Sequence, residues 1–381
     1  MKKKKIAIFG VKYFPARGGT SRVVENLLYD LKNNYDFTIY CYKHEAAANH
    51  IPGVETIQFS EIPIKGIGVF LYYLRCCVHL LFNKQYDLVH LHKMDAAFFL
   101  PLLCLKFKVI ATSHALPHLN EKWSAIGKRY FLFSESLFMH SKATLTAISK
   151  PQTLYFFEKY KREVAFIPNG ILPVGKIQVE LADEIMKQFN IPNDFLLFAG
   201  RRLIPLKGCH TLIKALQKMA FKGTLVVAGD MDQMPAYTEK LKKLAEGINV
   251  RFIGYVSGMD KLNALLKRAK YFVFPSEIEG MSMMLLEAGS IGTPMICSDI
   301  PPNLAVLNDQ EVLYFESKNV DDLAEKLTWA FQNKEAMEQM AIRTKNTVEK
   351  EYMSSKVVKQ YIELYDHTLS VDKMIPSPDK I

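Results

Sequence analysis

Two carboxylates and two cations stand at spacings that suit a phosphorylated sugar. Glu279 and Glu287 lie eight positions apart in YFVFPSEIEGMSMMLLEAGSIGTPMICSD, residues 271–299. Carboxylates accept hydrogen bonds well from vicinal sugar hydroxyls. Arg202 and Lys207 lie five positions apart in GRRLIPLKG, residues 200–208. Arginine offers a planar fork and lysine a point charge, so the pair can grip a diphosphate from two sides. Each feature has a plainer reading in isolation. Glu279 alone is a helix cap, Glu287 a solvated helix residue, and residues 200–208 a solvated basic loop. Together they offer a seat for phosphate and two for hydroxyl pairs, which describes a nucleotide sugar.

These residues need elements to hold them. Tyr271 to Phe274 reads as a buried strand stopped by Pro275-Ser276, with a loop from Glu277 to Gly280. A helix is expected from Ser282 to Ala288, ended by Gly289, Gly292 and Pro294 before a second apolar run, Met295 to Cys297. In parallel α/β sheets such loops sit at the carboxyl ends of strands, where ligands bind. The free amides around Ser282, Met283 and Met284 suit phosphate at the helix start. Residues 200–208 follow a strand at Phe195 to Ala199 and precede an amphipathic helix ending near Met219.

The chain opens on the same rhythm. Lys5 to Gly10 reads as a strand, the next loop holds Pro15 and Gly18-Gly19, and a helix spans about Thr20 to Asn33. Paired glycines there let a backbone approach a ligand. Further strands are expected at Phe37–Tyr42, Asp87–His92, Lys108–Ser113, Ala143–Ile148, Val164–Ile167, Thr224–Ala228, Val250–Ile253 and Glu311–Phe315. Helical stretches alternate with them, the doubly wound α/β pattern. Pro168-Asn169-Gly170 is a turn cluster, 171–191 reads as a polar linker, and Tyr352 to Leu369 as a last helix before a mobile tail. His90 and His92 alternate on a strand and read as packing or polar-edge residues.

The 271–299 unit resembles the signature of retaining glycosyltransferases of the GT-B fold, family 4. The matching residues are Pro275-Ser276, Glu279-Gly280, Glu287-Ala288, Gly292-Thr293-Pro294 and Ser298-Asp299, and Arg202 and Lys207 match the family's arginine–x4–lysine. Ser282 stands where the family often has glycine, Arg201 replaces a usual glycine, and Ser21 a usual glutamate. The loop Gly10 to Ala16, the Glu121-Lys122-Trp123 cluster and an aromatic helix with Ser134-Glu135-Ser136 are similar, in part, to bacterial rhamnosyltransferases of capsule and O-antigen assembly.

The resemblance implies two Rossmann-like doubly wound domains facing a cleft. Residues 1–172 would bind the acceptor and 173–351 the nucleotide sugar, with the helix at about 352–369 packing back on the first domain. It implies hexosyl or deoxyhexosyl transfer with retention by a front-face mechanism, in a bacterial surface-polysaccharide pathway. Arg202 and Lys207 would stabilise the leaving diphosphate, Glu279 would hold sugar hydroxyls, and Glu287 the ribose diol. His114, just past a strand end, would touch the sugar. Gly18, Gly19, Gly280, Met281, Ser282 and Met283 would line the phosphates, and Val256 in Ile253-Gly254-Tyr255-Val256 would border the base. Asp230-Met231-Asp232 imitates a metal motif of another glycosyltransferase class but reads as a loop, so no divalent metal and no other cofactor is expected. Two alternatives stay open: an epimerase or phosphorylase of the same fold, and a non-catalytic nucleotide-sugar-binding protein.

Composition sets the outer bounds. The 381 residues suit two domains, and 49% are apolar. Six cysteines show no zinc spacing and read as free thiols of a reducing cytosol. No signal peptide is read, and the most apolar segment, 66–82, is short for a span and carries Arg75. Residues 1–170 hold 23 Lys and Arg against 12 Asp and Glu, while the remainder is near balance. A basic half suggests nucleic acid or an anionic membrane. With no nucleic-acid-binding pattern, the expected partners are the donor, a glycan or lipid-linked acceptor and an anionic membrane surface. The expected place is the cytoplasm, peripheral on the inner face of the cytoplasmic membrane.

Overall fold

Strand and helix alternate along the whole chain because apolar runs of four to eight residues alternate with helical periodicity. The structure is a computed structural model, and it describes residues 3–48, 50–64, 67–83, 85–120 and 123–370. Glu121, Lys122 and the tail beyond Ser370, all invoked above, lie outside them. The chain divides into two compact units. The first runs to Gly170 and takes the chain back at Ser354; the second is Ile171–Met353. The expected crossings stood two residues away, at 172/173 and 351/352.

The first unit holds strands β1 (Lys5–Phe9), β2 (Asp36–Tyr42), β3 (Val54–Phe59), β4 (Leu88–His92), β5 (Lys108–Ser113), β6 (Thr144–Ala147) and β7 (Ala165–Phe166). They form one parallel sheet in the order β3-β2-β1-β4-β5-β6-β7. Helices α1 (Gly19–Leu31), α2 (Gly68–Phe82), α3 (Leu100–Lys106), α4 (Ala125–His140) and α5 (Lys150–Tyr160) connect them. The middle strands are buried along nearly their whole length, as a sheet covered on both faces requires. Phe9, Tyr72, Tyr73, Phe99 and Phe138 lie in the core. Tyr72 keeps its hydroxyl satisfied by donating to the Val11 carbonyl at 2.6 Å.

The second unit holds α6 (Glu180–Gln188), β8 (Phe195–Arg202), α7 (Cys209–Lys218), β9 (Thr224–Asp230), α8 (Pro235–Leu244), β10 (Asn249–Gly254), α9 (Met259–Arg268), β11 (Tyr271–Phe274), α10 (Met283–Ile291), β12 (Met295–Ser298), α11 (Pro301–Leu304), β13 (Leu313–Phe315), α12 (Val320–Gln332) and α13 (Lys334–Glu351). Its six strands are parallel in the order β10-β9-β8-β11-β12-β13. The last helix, α14 (Ser354–Ser370), packs on α1 and β5 of the first unit through Val357, Tyr361 and Tyr365.

Three expectations are corrected. β3 was not expected; its VETIQF is an edge strand, half-exposed beyond Val54, so polar and apolar residues mix. The 171–191 stretch is not simply a linker but contains α6, which lies against α9 and buries only Ala182 and Met186. Two apolar positions one turn apart are easily lost in a polar segment. The strand expected to end at Ala199 continues to Arg202 through a register shift, so Arg201 and Arg202 sit on β8 rather than in a loop.

Candidate active site

In the second sheet the strand order reverses between β8 and β11, and both motif stretches begin at the carboxyl ends of those two strands. A doubly wound sheet opens a crevice at that point. The two stretches are stitched together. Gly208 has φ +70°, and a Cβ there would stand 1.9 Å from the Pro275 carbonyl oxygen, so only glycine lets the turns touch. The Glu277 N–H donates to the Leu206 carbonyl at 2.9 Å. The Lys207 ammonium donates to the Glu279 carboxylate, both half-buried. Arg202 ends β8 opposite Asp230 of β9, and the Leu203 N–H donates to the Asp230 carbonyl at 3.0 Å, which holds this corner.

The start of α10 lies in the same loop cluster. Ser282 is its N-cap residue, and its side chain makes no cap hydrogen bond. Buried Met281, Ser282 and Met283 line the entry, with Gly280 half-buried before them. Glu287, one turn in, is buried rather than a solvated helix residue. Ser298 and Asp299 act as locks: the Ser298 hydroxyl donates to the Ser276 carbonyl, and Asp299 Oδ1 accepts from the Ser317 N–H at 2.8 Å. Val256 is half-buried in the loop after β10, beside the exposed Tyr255. Asp230 closes β9 and accepts from the Asp232 N–H at 2.9 Å, a tight turn. Among the described residues no group of three or more His, Cys, Asp and Glu is placed to hold a metal.

Glu277, which the sequence showed only as a loop carboxylate with no role, has one in the structure. It stands 3.7 Å from His210 Nε2 and 3.4 Å from the Lys318 ammonium, and His210 Nδ1 meets the Tyr237 hydroxyl at 2.9 Å. Burial lowers the His210 pKa and Glu277 opposes the shift. This network braces the Glu277–Gly280 loop from the side of α7 and α8.

The first unit gathers its own residues at its own switch point, between β1 and β4. Gly18 and Gly19 open α1, which has no side-chain cap, and nothing lies within 4 Å of where a Cβ on Gly19 would stand. The loop before them is tied down by Glu25. Its Oε2 accepts from the Ala16 N–H at 2.7 Å and its Oε1 meets His50 Nε2 at 2.8 Å.

His114 follows β5 and is buried, with its Nε2 3.0 Å from Nδ1 of His92. Behind them His90 meets the Tyr365 hydroxyl and Thr112 Oγ1, each at 2.7 Å. The packing reading holds for His90, while His92 joins His114. Burial pushes the pKa of His90 and of His114 down to about 3 and that of His92 well below its ordinary value, which favours the neutral form of all three. The signal for His92 was the LVHLH alternation, which sets both histidines on one face of β4.

With this geometry in view, comparison with known proteins is specific. Residues 17–173 match the family described as Glycosyltransferase Family 4, and residues 182–347 match Glycosyl transferases group 1. The fold and both matches define the class: a GT-B glycosyltransferase, group 1 and family 4-like. Among particular proteins, the chain is 26% identical over 304 residues to the O-antigen biosynthesis glycosyltransferase WclY of Escherichia coli, a match over 74% of this chain and 80% of that protein. In fold it is similar to sucrose-phosphate synthase from Thermosynechococcus elongatus, with a TM-score of 0.79 at 17% identity over 97% of this chain and all of that one. It is also similar to Anabaena HepE in complex with UDP and glucose, with a TM-score of 0.75 at 16% identity over 96% of this chain and all of that one.

Proposed function

We propose that this glycosyltransferase moves a hexose or deoxyhexose from a nucleotide-diphosphate sugar, with retention, onto a glycan or lipid-linked acceptor of a bacterial surface polysaccharide. The observation that carries the reading is the joined pair of loops after β8 and β11, with Lys207 held at Glu279 beside the uncapped start of α10. There the diphosphate would meet Lys207, Arg202 and helix amides, which stabilise the charge that grows as it leaves. Glu279 would accept from the sugar hydroxyls and Glu287 from the ribose diol. Gly18 and Gly19 would approach the phosphates, His114 the sugar, and Val256 the base. The departing diphosphate would take the acceptor proton, and the protein would supply positioning and charge. Arg202 and Lys207 leave no need for a divalent ion or other cofactor.

Likeness to an O-antigen enzyme and to a structure holding UDP and glucose supports the donor class and the pathway. The proposed setting is the cytoplasmic face of an anionic membrane, and its support is the distribution of charge and exposed apolar residues taken up below. The test is incubation with UDP-, GDP- and dTDP-sugars and a lipid-linked acceptor, reading nucleotide release and the anomeric configuration of the product by NMR. Acceptor-dependent release, an unchanged configuration and indifference to EDTA are expected. An inverted product overturns retention, rescue of an EDTA-dead enzyme by manganese overturns metal independence, and donor binding without turnover favours a binding protein.

A further inference from the structure

The first-unit sheet carries a stripe of polar side chains that the reaction scheme uses at one end only. β4 and β5 run parallel with His92 opposite Thr112, so alternation sets His90, His92, Thr112 and His114 on one face. α14 covers that face with Tyr361 and Tyr365. The rings of His90 and His92 lie 3.9 Å apart between centroids, and both nitrogens of His90 are taken, by Tyr365 and Thr112. The backbone of His92 is equally fixed: Gly10, at φ +93°, packs so closely that a Cβ on it would stand 1.8 Å from the His92 carbonyl oxygen. His92 is therefore wedged from behind and below, and it presents Nδ1 to Nε2 of His114 at 3.0 Å.

We propose that His92 is a positioning residue for His114, fixing through this one contact both the ring orientation of His114 and its tautomer. Burial is the largest effect keeping both rings uncharged, and the neighbouring Lys93 cation adds to it. A contact between two neutral imidazoles carries one proton. Nε2 of His114 is spent on His92, so Nδ1 is the nitrogen left for a bound molecule. If the shared proton sits on His92, Nδ1 of His114 is a donor; if it sits on Nε2 of His114, Nδ1 is an acceptor. Either way a sugar hydroxyl meets one hydrogen-bonding role instead of an average of two. A phenylalanine at 92 keeps the volume and removes the restraint. An asparagine keeps an amide near the place of Nδ1 and retains it.

This inference rests on the reading of His114 as a sugar-contacting residue, and the experiment separates the two. The full-length chain, labelled with ¹⁵N-histidine, is observed by long-range ¹H–¹⁵N correlation at pH 7 with no substrate present. His114 is expected as a single neutral tautomer in the wild type and in H92N, and as an averaging pair in H92F. Turnover of the sugar donor is expected to fall about tenfold in H92F and to be largely restored in H92N. An averaged His114 in the wild type overturns the proposal without recourse to any variant. So do unchanged His114 nitrogen shifts in H92F. Shifts that change in H92F without loss of turnover uphold the positioning and overturn instead the role of His114 at the sugar.

Discussion

At the scale of single residues, the second-unit site brings together what the sequence spaced apart. Lys207 and Glu279, 72 positions distant in the chain, share a hydrogen bond. Lys207→Ala and Arg202→Ala are each expected to lower turnover by about two orders of magnitude, the usual loss of about 3 kcal/mol for one donor on a developing anion. Neither side chain is a core residue, so circular dichroism and melting temperature should stay near wild type. Wild-type turnover in either variant would remove that residue from the reaction. These residues were legible because their chemistry is carried by type and spacing. His92 and Glu277 were not, because each meets partners that only the fold supplies: His114 just past the end of the next strand, and His210 with Lys318 from outside the loop.

At the scale of elements, strong strands and amphipathic helices could be read directly, and the exceptions share a cause. β3 and α6 bury too little for periodicity to stand out. β8 runs on to Arg202 because pairing with β9 outlasts its apolar run. The polar face between β4, β5 and α14 was equally hidden, and it has a consequence for acid stability. His90, His92 and His114 have folded pKa values well below the ordinary 6.5, so the unfolded chain takes up their protons first. Their contribution is complete above pH 6.5 and is lost as pH falls from there toward 3. By pH 5, His90 and His114 each cost about 2 kcal/mol, and His92 acts in the same direction. The chain has two tryptophans, Trp123 in the first unit and Trp329 in the second. In a Trp329→Phe background, Trp123 fluorescence reports melting of the first unit. Its midpoint should drop between pH 7.5 and 5, and His92→Phe, which deletes one of the three protons, should flatten that dependence. A midpoint indifferent to pH over this range would mean that the cluster is protonated in the fold.

At the scale of the whole molecule, the charge asymmetry of the sequence acquires a partner in the structure. Among the described residues, fifteen of the twenty exposed large hydrophobics lie in residues 1–170, the same stretch that holds the whole basic excess. Three of them, Leu74, Val78 and Phe82, recur every fourth residue along α2 and rise to 86% exposure at Phe82, with Arg75 beside the stripe. Ile126, Leu132 and Phe133 on α4 lie near Lys128 and Arg129, and Leu105 on α3 is followed by Lys106. No helix among the described residues is long and apolar enough to cross a bilayer. Apolar side chains interleaved with cations suit the surface of one. Each Lys or Arg near an anionic leaflet contributes about 1 kcal/mol, so a handful holds the chain reversibly. Solubility alone would account for the cations but not for apolar side chains concentrated among them. The full-length protein is therefore expected to co-sediment with vesicles containing phosphatidylglycerol at low salt, to stay in solution with neutral vesicles, and to be released at 0.5 M salt as the Debye length shrinks. Phe82→Ser with Ile126→Ser should weaken the attachment without altering donor turnover on a water-soluble acceptor. Equal recovery in the supernatant under every condition would leave the charge with no role beyond solubility and would overturn attachment to a membrane surface.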